Sequence, residues 1–364
     1  MTDEAHMRNA LALARRGLGE TAPNPSVGCV IVQDGRVVGR GRTAAGGRPH
    51  AEVNALAAAG AKAREATAYV TLEPCSFTGK TPPCTTALIE AGIARVVFGA
   101  TDPNPAVNGQ GAAQLRAAGI AVTEGVLRSE CAAVIAGFAM VMAHGRPLLR
   151  LKLASTLDGR IATATRESQW LTGEDSRRAA HAMRGRHDAV LVGVGTVLSD
   201  DPELTCRIDG FRVTPLVRIV VDSHLRTPLM SKLVRGAGLA PLWLIHRNGA
   251  DPSRKQALES AGVRLIEVNA AAAGVDLPAA LRALAKSGIT RLLVEGGGTI
   301  AAALLRDDLV DRLAWFHAPA IIGGDGWPAA QAFGVTALSS MPRFKPVAQE
   351  RWGDDILTTY RKAA

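Results

Sequence analysis

Aromatic side chains are scarce in this chain: they make up 4% of 364 residues, and only two are tyrosines. That scarcity argues against the stacking platforms on which single-stranded nucleic acids are held. The formal net charge is +9, yet the arginines are scattered, with no basic run. Phosphorylated small molecules are sufficient partners for such a charge, and no nucleic acid is expected. No apolar run approaches the ~18 residues of a membrane helix, so no membrane partner is expected. The start, Met1-Thr2-Asp3-Glu4, lacks the basic residues and apolar core of a signal peptide. Five cysteines are an odd number and make a poor disulfide framework. Together these absences predict a cytoplasmic protein with reduced thiols. No internal repeat is present, and no Gly-x-Gly-x-x-Gly fingerprint.

What is present is an α/β pattern long enough for two domains. A helix is predicted over His6 to Arg16, then a hairpin of Val27 to Gln33 and Val37 to Gly41 about Asp34-Gly35. Strand–helix units follow as far as Leu127, and a packed helix over Ser129 to Ala143. His144-Gly145-Arg146-Pro147 is the expected boundary, giving domains 1–146 and 147–364. Past it, strands are predicted at 148–154, 189–193, 217–222, 242–246, 263–268 and 291–295, with helices between. That is a second, mostly parallel sheet. Ala314 to Ile322 and Ile356 to Arg361 are expected to add an antiparallel edge.

The chemistry of the first half lies in His50-Ala51-Glu52, then Pro74-Cys75 and Cys84. Alone, a His-x-Glu is most simply a solvated helix start, and two cysteines ten positions apart are most simply small apolar residues. Their context changes that. Helical periodicity begins at His50 (Val53, Leu56, Ala57, Gly60) and again after Pro82-Pro83-Cys84, so both residues fall at helix starts. The strand Ala68 to Leu72 delivers Glu73-Pro74-Cys75 at its end. One imidazole and two thiolates are three ligands for Zn2+, leaving a fourth position for water. Glu52 is the spare carboxylate that could move protons. The set matches the signature of zinc nucleobase deaminases, whose cysteines stand as Pro-Cys-x-x-Cys, except that here eight residues separate them. Cys29, Cys131 and Cys206 are read as buried thiols.

That eight-residue insert, with Gly79-Lys80-Thr81-Pro82-Pro83-Cys84, resembles the bifunctional deaminase–reductase family of riboflavin biosynthesis. So do Pro23-Asn24-Pro25-x-Val27-Gly28-Cys29 and Asp102-Pro103-Asn104-Pro105. In the second half the resemblance rests on Leu151-Lys152-x-Ala154-Ser155-x-Leu157-Asp158-Gly159-Arg160, on Ser168-Gln169-Trp170, and on Asp200-Asp201-Pro202-x-Leu204-Thr205-x-Arg207. It covers essentially the whole chain. It implies a cytidine-deaminase-like zinc domain followed by a dihydrofolate-reductase-like α/β domain. The implied reactions are deamination of a diaminopyrimidinone ribosylamine phosphate and NADPH-dependent reduction of its ribosyl group to ribityl.

The resemblance further implies that Asn24, Lys80, Asp102 and Asn104 hold the deaminase substrate. NADPH is implied along Ala154, Trp170, Thr196, Asp200, Ser223 and the Gly297-Gly298-Thr299 turn. The reductase substrate is implied near Ser168, Arg184, Leu204, Arg207 and Glu295. Two observations agree independently. Gly193-Val194-Gly195-Thr196 and Gly296-Gly297-Gly298-Thr299 each follow a strand and open a helix, a setting suited to phosphate. Arg184 and Arg207 could fork onto a sugar phosphate. Asp200 is a candidate for assisting proton transfer, and Trp170 also reads as a core anchor. Thr43 and Phe77 stand where the family often has His, which puts individual substrate contacts in question.

Competing readings are a nucleoside or nucleic-acid deaminase with an unrelated C-terminal module, and a folate-type reductase with a structural zinc domain. The long insert opposes the first, and the spare Glu52 opposes the second. The apolar terminal strands, with the family's tendency to associate through its reductase half, lead to the expectation of a homodimer.

Overall fold

The computed structural model describes residues 2–363, apart from 106, 272 and 273. The chain divides into two compact units, Met1–Gly145 and Arg146–Ala364.

The first unit runs α1 (Asp3–Arg16), β1 (Gly28–Gln33), β2 (Arg36–Arg42), α2 (Ala51–Ala59), β3 (Thr67–Leu72), α3 (Cys84–Glu90), β4 (Arg95–Ala100), α4 (Gln110–Ala117), β5 (Ala121–Glu124) and α5 (Arg128–His144). Its five strands lie in the order β2-β1-β3-β4-β5. β1 is antiparallel to both β2 and β3, and the rest are parallel. Glycines set how closely the helices approach this sheet. A Cβ on Gly28 would meet the Ala10 carbonyl oxygen of α1 at 2.0 Å, and one on Gly41 would meet that of Ala51 in α2 at 2.2 Å.

That close approach corrects the periodicity read for α2. Its buried face is Ala51, Glu52, Ala55 and Ala59, while Val53 is exposed. Small residues face the β2 glycines because nothing larger fits, and this turns Glu52 inward.

The second unit runs β6 (Leu148–Thr156), β7 (Arg160–Ala162), α6 (Glu174–Gly185), β8 (Ala189–Gly193), α7 (Val194–Asp200), β9 (Val217–Val221), α8 (Lys232–Arg235), β10 (Leu242–Arg247), α9 (Pro252–Ser260), β11 (Arg264–Val268), β12 (Ala270–Ala271), β13 (Gly274–Val275), α10 (Leu277–Lys286), β14 (Arg291–Val294), α11 (Gly298–Arg306), β15 (Arg312–Ala318), β16 (Trp327–Pro328), β17 (Phe344–Trp352) and β18 (Asp355–Lys362).

Nine of its strands form one sheet in the order β11-β10-β9-β8-β14-β6-β15-β18-β17. It is parallel from β11 through β15, and β18 and β17 complete it antiparallel. Two expectations are corrected here. The segment expected over Ala314 to Ile322 is β15, which runs parallel to β6 and ends at Ala318. The true edge is β17, a strand not expected from the sequence. It is almost wholly exposed, carries Lys345, Pro346, Glu350 and Arg351, and has a register shift between Pro346 and Ala348. Charge, proline and a bulge are the usual protections of a free edge.

Candidate active sites

In the first unit, the ends of three elements supply the metal-ligating set. His50 is the N-cap residue of α2 and makes no side-chain cap bond, which leaves its ring free. Cys75 follows β3, and Cys84 opens α3 behind Pro83. The His50 Nδ1 lies 3.7 Å from the Cys75 Sγ and 3.4 Å from the Cys84 Sγ. A tetrahedral zinc with Zn–N of ~2.05 Å and Zn–S of ~2.3 Å has N···S edges of ~3.6 Å. All three ligand atoms lie within 4.8 Å of one another, so the donor set fits that metal in spacing and in type.

The proton balance agrees. The Cys75 sulfur accepts from the Cys84 thiol, and His50 also stabilises its anion, so its pKa falls to about 4. Cys84, as the donor to Cys75, is pushed up. Closely packed thiols of this kind become thiolate ligands when a cation joins them.

Glu52 is buried and lies against Cys84. Burial first, and the Cys75 charge second, push its carboxyl up to about 7. Asn24 donates to the Gly47 carbonyl at 2.8 Å and sits 3.4 Å from the His50 Nε2. Gly47 has φ of +89°, and a Cβ there would overlap Asn24 at 2.8 Å, so this position requires glycine. Asp102 is buried, and burial pushes its carboxyl up to about 6; its Oδ1 accepts from the Asn104 N–H at 2.8 Å.

Lys80 and Phe77 are exposed on the insert, where the Arg48 guanidinium holds Thr81 at 2.5 Å. Thr43 is buried: its hydroxyl accepts from Val27 N–H at 3.0 Å and donates to the Pro25 carbonyl at 3.2 Å. It braces the Asn24 loop as a backbone clamp.

One residue that sequence reasoning passed over is Glu73. Its buried carboxylate accepts from the N–H groups of Asp102, Gly109, Gly111 and Ala112. The available signal was a carboxylate inside an otherwise apolar strand end.

In the second unit, one cleft of about 1830 Å³ opens beside the strand ends. The expected cofactor residues Ala154, Trp170, Thr196, Asp200, Ser223, Gly297, Gly298 and Thr299 all line it, as do Ser168, Arg184, Leu204, Arg207 and Glu295. Gly193 and Gly297, the N-cap residues of α7 and α11, follow the adjacent strands β8 and β14. Neither helix start has a side-chain cap bond, so these ends have N–H groups suited to a phosphate chain. This is also where strand order reverses, the usual ligand crevice of open α/β sheets.

Within the cleft, two readings change. The Arg184 guanidinium is committed to Glu295, at 2.6 and 3.1 Å, and to the Thr205 carbonyl at 2.9 Å; it shapes the floor and does not offer a fork to phosphate. Trp170 is 67% exposed, with the Arg177 guanidinium 4.8 Å from its ring centre, so it is a wall of the cleft and not a core anchor. Asp200 is exposed at the rim. Arg207 is exposed too, resting on the His181 Nε2 at 3.3 Å and within 3.5 Å of Glu203. Leu204 is core, at φ of +55°. Cys206 is half-buried, its thiol 3.2 Å from the His181 carbonyl.

Lys152, quoted in the sequence motif but given no role, stands on the cleft floor. Its ammonium is 5.7 Å from the Phe316 ring centre. Burial lowers its pKa, partly offset by the Glu295 charge. Alternation along β6 puts positions 150, 152 and 154 on one face and Leu149, Leu151 and Leu153 in the core.

Comparison with known proteins supplies the family. Residues 147–358 match the RibD C-terminal domain, and residues 1–100 match the cytidine and deoxycytidylate deaminase zinc-binding region. The chain is 41% identical to the riboflavin biosynthesis protein RibD of Escherichia coli K12, over 98% of each. It is 39% identical to the Aquifex aeolicus RibD, over 99% of this chain and 98% of that one. The Acinetobacter baumannii RibD structure superposes with a TM-score of 0.89 at 36% identity, covering 100% of this chain and 99% of the other. A Thermotoga maritima diaminohydroxyphosphoribosylaminopyrimidine deaminase/5-amino-6-(5-phosphoribosylamino)uracil reductase gives 0.86 at 36%, covering 99% of each. The chain belongs to the RibD family of riboflavin biosynthesis, bifunctional enzymes that join a zinc-binding deaminase domain to a reductase domain.

Proposed function

We propose that this chain performs both reactions for which the Thermotoga protein is named, the first in residues 1–146 and the second in 147–364. The observation that carries the first is a His50–Cys75–Cys84 set at tetrahedral spacing with Glu52 buried beside it. Zinc held by these three side chains would supply a site for water and lower that water's pKa towards neutrality. Glu52 takes the water's proton and hands it to the departing amine, so ammonia leaves and a carbonyl remains. Asn24, Asp102 and Asn104 orient the pyrimidine. Lys80, an exposed ammonium on the insert, meets the phosphate.

In the second unit, NADPH along the uncapped starts of α7 and α11 would supply hydride. The cleft floor then has two duties. The Arg184–Glu295 pair fixes a carboxylate beside the Lys152 ammonium, so charged donors and acceptors stand ready for the opened sugar and the ring. Arg207, exposed at the mouth, meets the sugar phosphate. Ser168 and Leu204 complete the substrate wall. Asp200 lines the cleft at its rim with an exposed side chain, and we assign it to the cofactor side.

No helix among the described residues is long and apolar enough to cross a membrane. Association as a homodimer through the reductase unit rests on the family alone. Light scattering of a fragment beginning near Pro147 tests it: a folded, monomeric fragment beside a dimeric full chain would place the interface elsewhere.

The direct test of the two activities is product analysis. The purified chain with the diaminopyrimidine substrate should release ammonia without NADPH, and should form the ribityl product only with it. Ribityl product appearing with no ammonia released would overturn the order of steps.

A further inference from the structure

We propose that Glu73 is the positioning residue that closes the substrate-holding segment of the deaminase onto the metal strand. Its carboxylate is 2% exposed and has no lysine or arginine partner among the described residues. Backbone N–H groups of one segment satisfy it instead. Oε2 accepts from Asp102 at 3.2 Å and from Gly109 at 3.0 Å. Oε1 accepts from Gly111 at 3.0 Å and from Ala112 at 3.2 Å, in the first turn of α4. The two oxygens therefore do different work. Oε1 neutralises the helix start, where a negative charge is favourable. Oε2 ties together the two ends of the loop 102–109, which carries Asp102 and Asn104.

The same residue is fixed from the other side. Its own N–H donates to the Ala100 carbonyl at 2.9 Å, and two positions on stands Cys75. The linkage thus runs from a metal ligand, through one side chain, to Asp102, and from the Asp102 Oδ1 to the Asn104 N–H.

A second, independent feature shows how tight this dock is. A Cβ on Gly111 would come within 2.1 Å of the Pro74 carbonyl oxygen and 3.2 Å of the Glu73 side chain. Glycine is needed there for the helix start to reach the carboxylate. One consequence concerns specificity. Because Glu73 occupies the N–H groups of Gly111 and Ala112 at the α4 start, those amides do not hold the substrate phosphate, and that task falls to side chains such as Lys80.

The inference rests on the reading that Asp102 and Asn104 touch the substrate, so three variants of the full chain are needed. Glu73→Gln keeps one acceptor oxygen and turns the other position into a donor facing N–H groups. Deaminase KM should rise at least tenfold, while kcat changes by less than about threefold, zinc stays at one per chain and the reductase rate is unaltered. Gly111→Ala, which pushes the segment off the Pro74 carbonyl while leaving the charge and both oxygens of Glu73 in the chain, should give the same KM-selective signature. Asn104→Ala tests the underlying reading and should also raise KM.

If Asn104→Ala raises KM while Glu73→Gln and Gly111→Ala leave it unchanged, Glu73 is a helix cap only and the inference fails alone. If Asn104→Ala leaves KM unchanged, the substrate reading of the segment fails and takes the inference with it. Zinc loss in Glu73→Gln would show instead that the residue serves the metal site, and would also overturn the proposal.

Discussion

The deaminase centre and the reductase cleft gather polar groups in different ways. In the first, His50 and Cys84 stand 34 positions apart, and each lies at the end of a regular element. Two helix starts and one strand end bring them within 3.4 Å. In the second, Lys152, Arg184 and Glu295 come from β6, α6 and the end of β14, and Arg184 and Glu295 are separated by 111 positions. Nothing local relates them. The consequence is energetic as well as geometric. The deaminase set gathers one imidazole and two thiols within 4.8 Å and would be completed by a cation. The cleft floor already holds a bidentate Arg184–Glu295 ion pair, with the Lys152 ammonium beside it.

This difference can be broken most sharply from the metal side. Replacing both Cys75 and Cys84 by alanine should abolish zinc binding and deamination together, while reduction of an already deaminated substrate continues. Elemental analysis beside the two separate assays decides it. Zinc retained by the double variant would mean that the 3.4–3.7 Å cluster is not the ligand set.

Glu52→Gln comes next. It keeps the metal set but cannot exchange a proton, so deamination should fall by about 100- to 10,000-fold with zinc unchanged. Near-normal ammonia release would remove Glu52 from the proton path.

How far the sequence led follows the same contrast. His50, Glu52, Cys75 and Cys84 were legible because helix starts and strand ends are local signals, carried by prolines and by periodicity. The Val53 stripe misled, because the real constraint was the backbone of α2 resting on Gly39 and Gly41, a tertiary fact. Strands β6, β8, β9, β10, β11 and β14 were legible as apolar runs; the short β7, β12 and β13 were not. β17 was not, since an edge strand with charge on both faces carries no apolar alternation. Arg184 was expected to face phosphate because its type suits phosphate. Its partner Glu295 is fixed only by the packing of α6 over the sheet, which sequence spacing does not show. Glu73 could be noticed as a carboxylate at an apolar strand end, but its role could not be read, because its partners are backbone amides and these have no sequence signature.

The cleft's pair supplies the third test. The side chains of Arg184 and Glu295 are 16% and 9% exposed, so Arg184→Ala leaves a buried carboxylate without its cation. Breaking such a pair costs about 3–5 kcal/mol. The reductase unit should lose that stability in denaturant titration, while zinc content and ammonia release stay normal. A variant as stable as the parent would mean that Lys152 alone balances Glu295.

Arg207 gives the smallest expected effect and separates the cleft's built floor from its open mouth. Its guanidinium is 62% exposed and rests on His181 and Glu203, so it is available to a ligand with little rearrangement. Burial, and the neighbouring Arg184 and Arg207 charges, hold the His181 pKa down, which keeps its ring neutral and able to accept from Arg207. A charge-assisted contact to phosphate is worth about 1.5–3 kcal/mol, and solvent exposure puts this one near the lower figure. Arg207→Ala should therefore weaken reductase substrate about tenfold and leave NADPH affinity and fold unchanged. Titrations showing the reverse order would assign Arg207 to the cofactor. The phosphate of the sugar would then have to be met deeper in the cleft, where the cations already face Glu295.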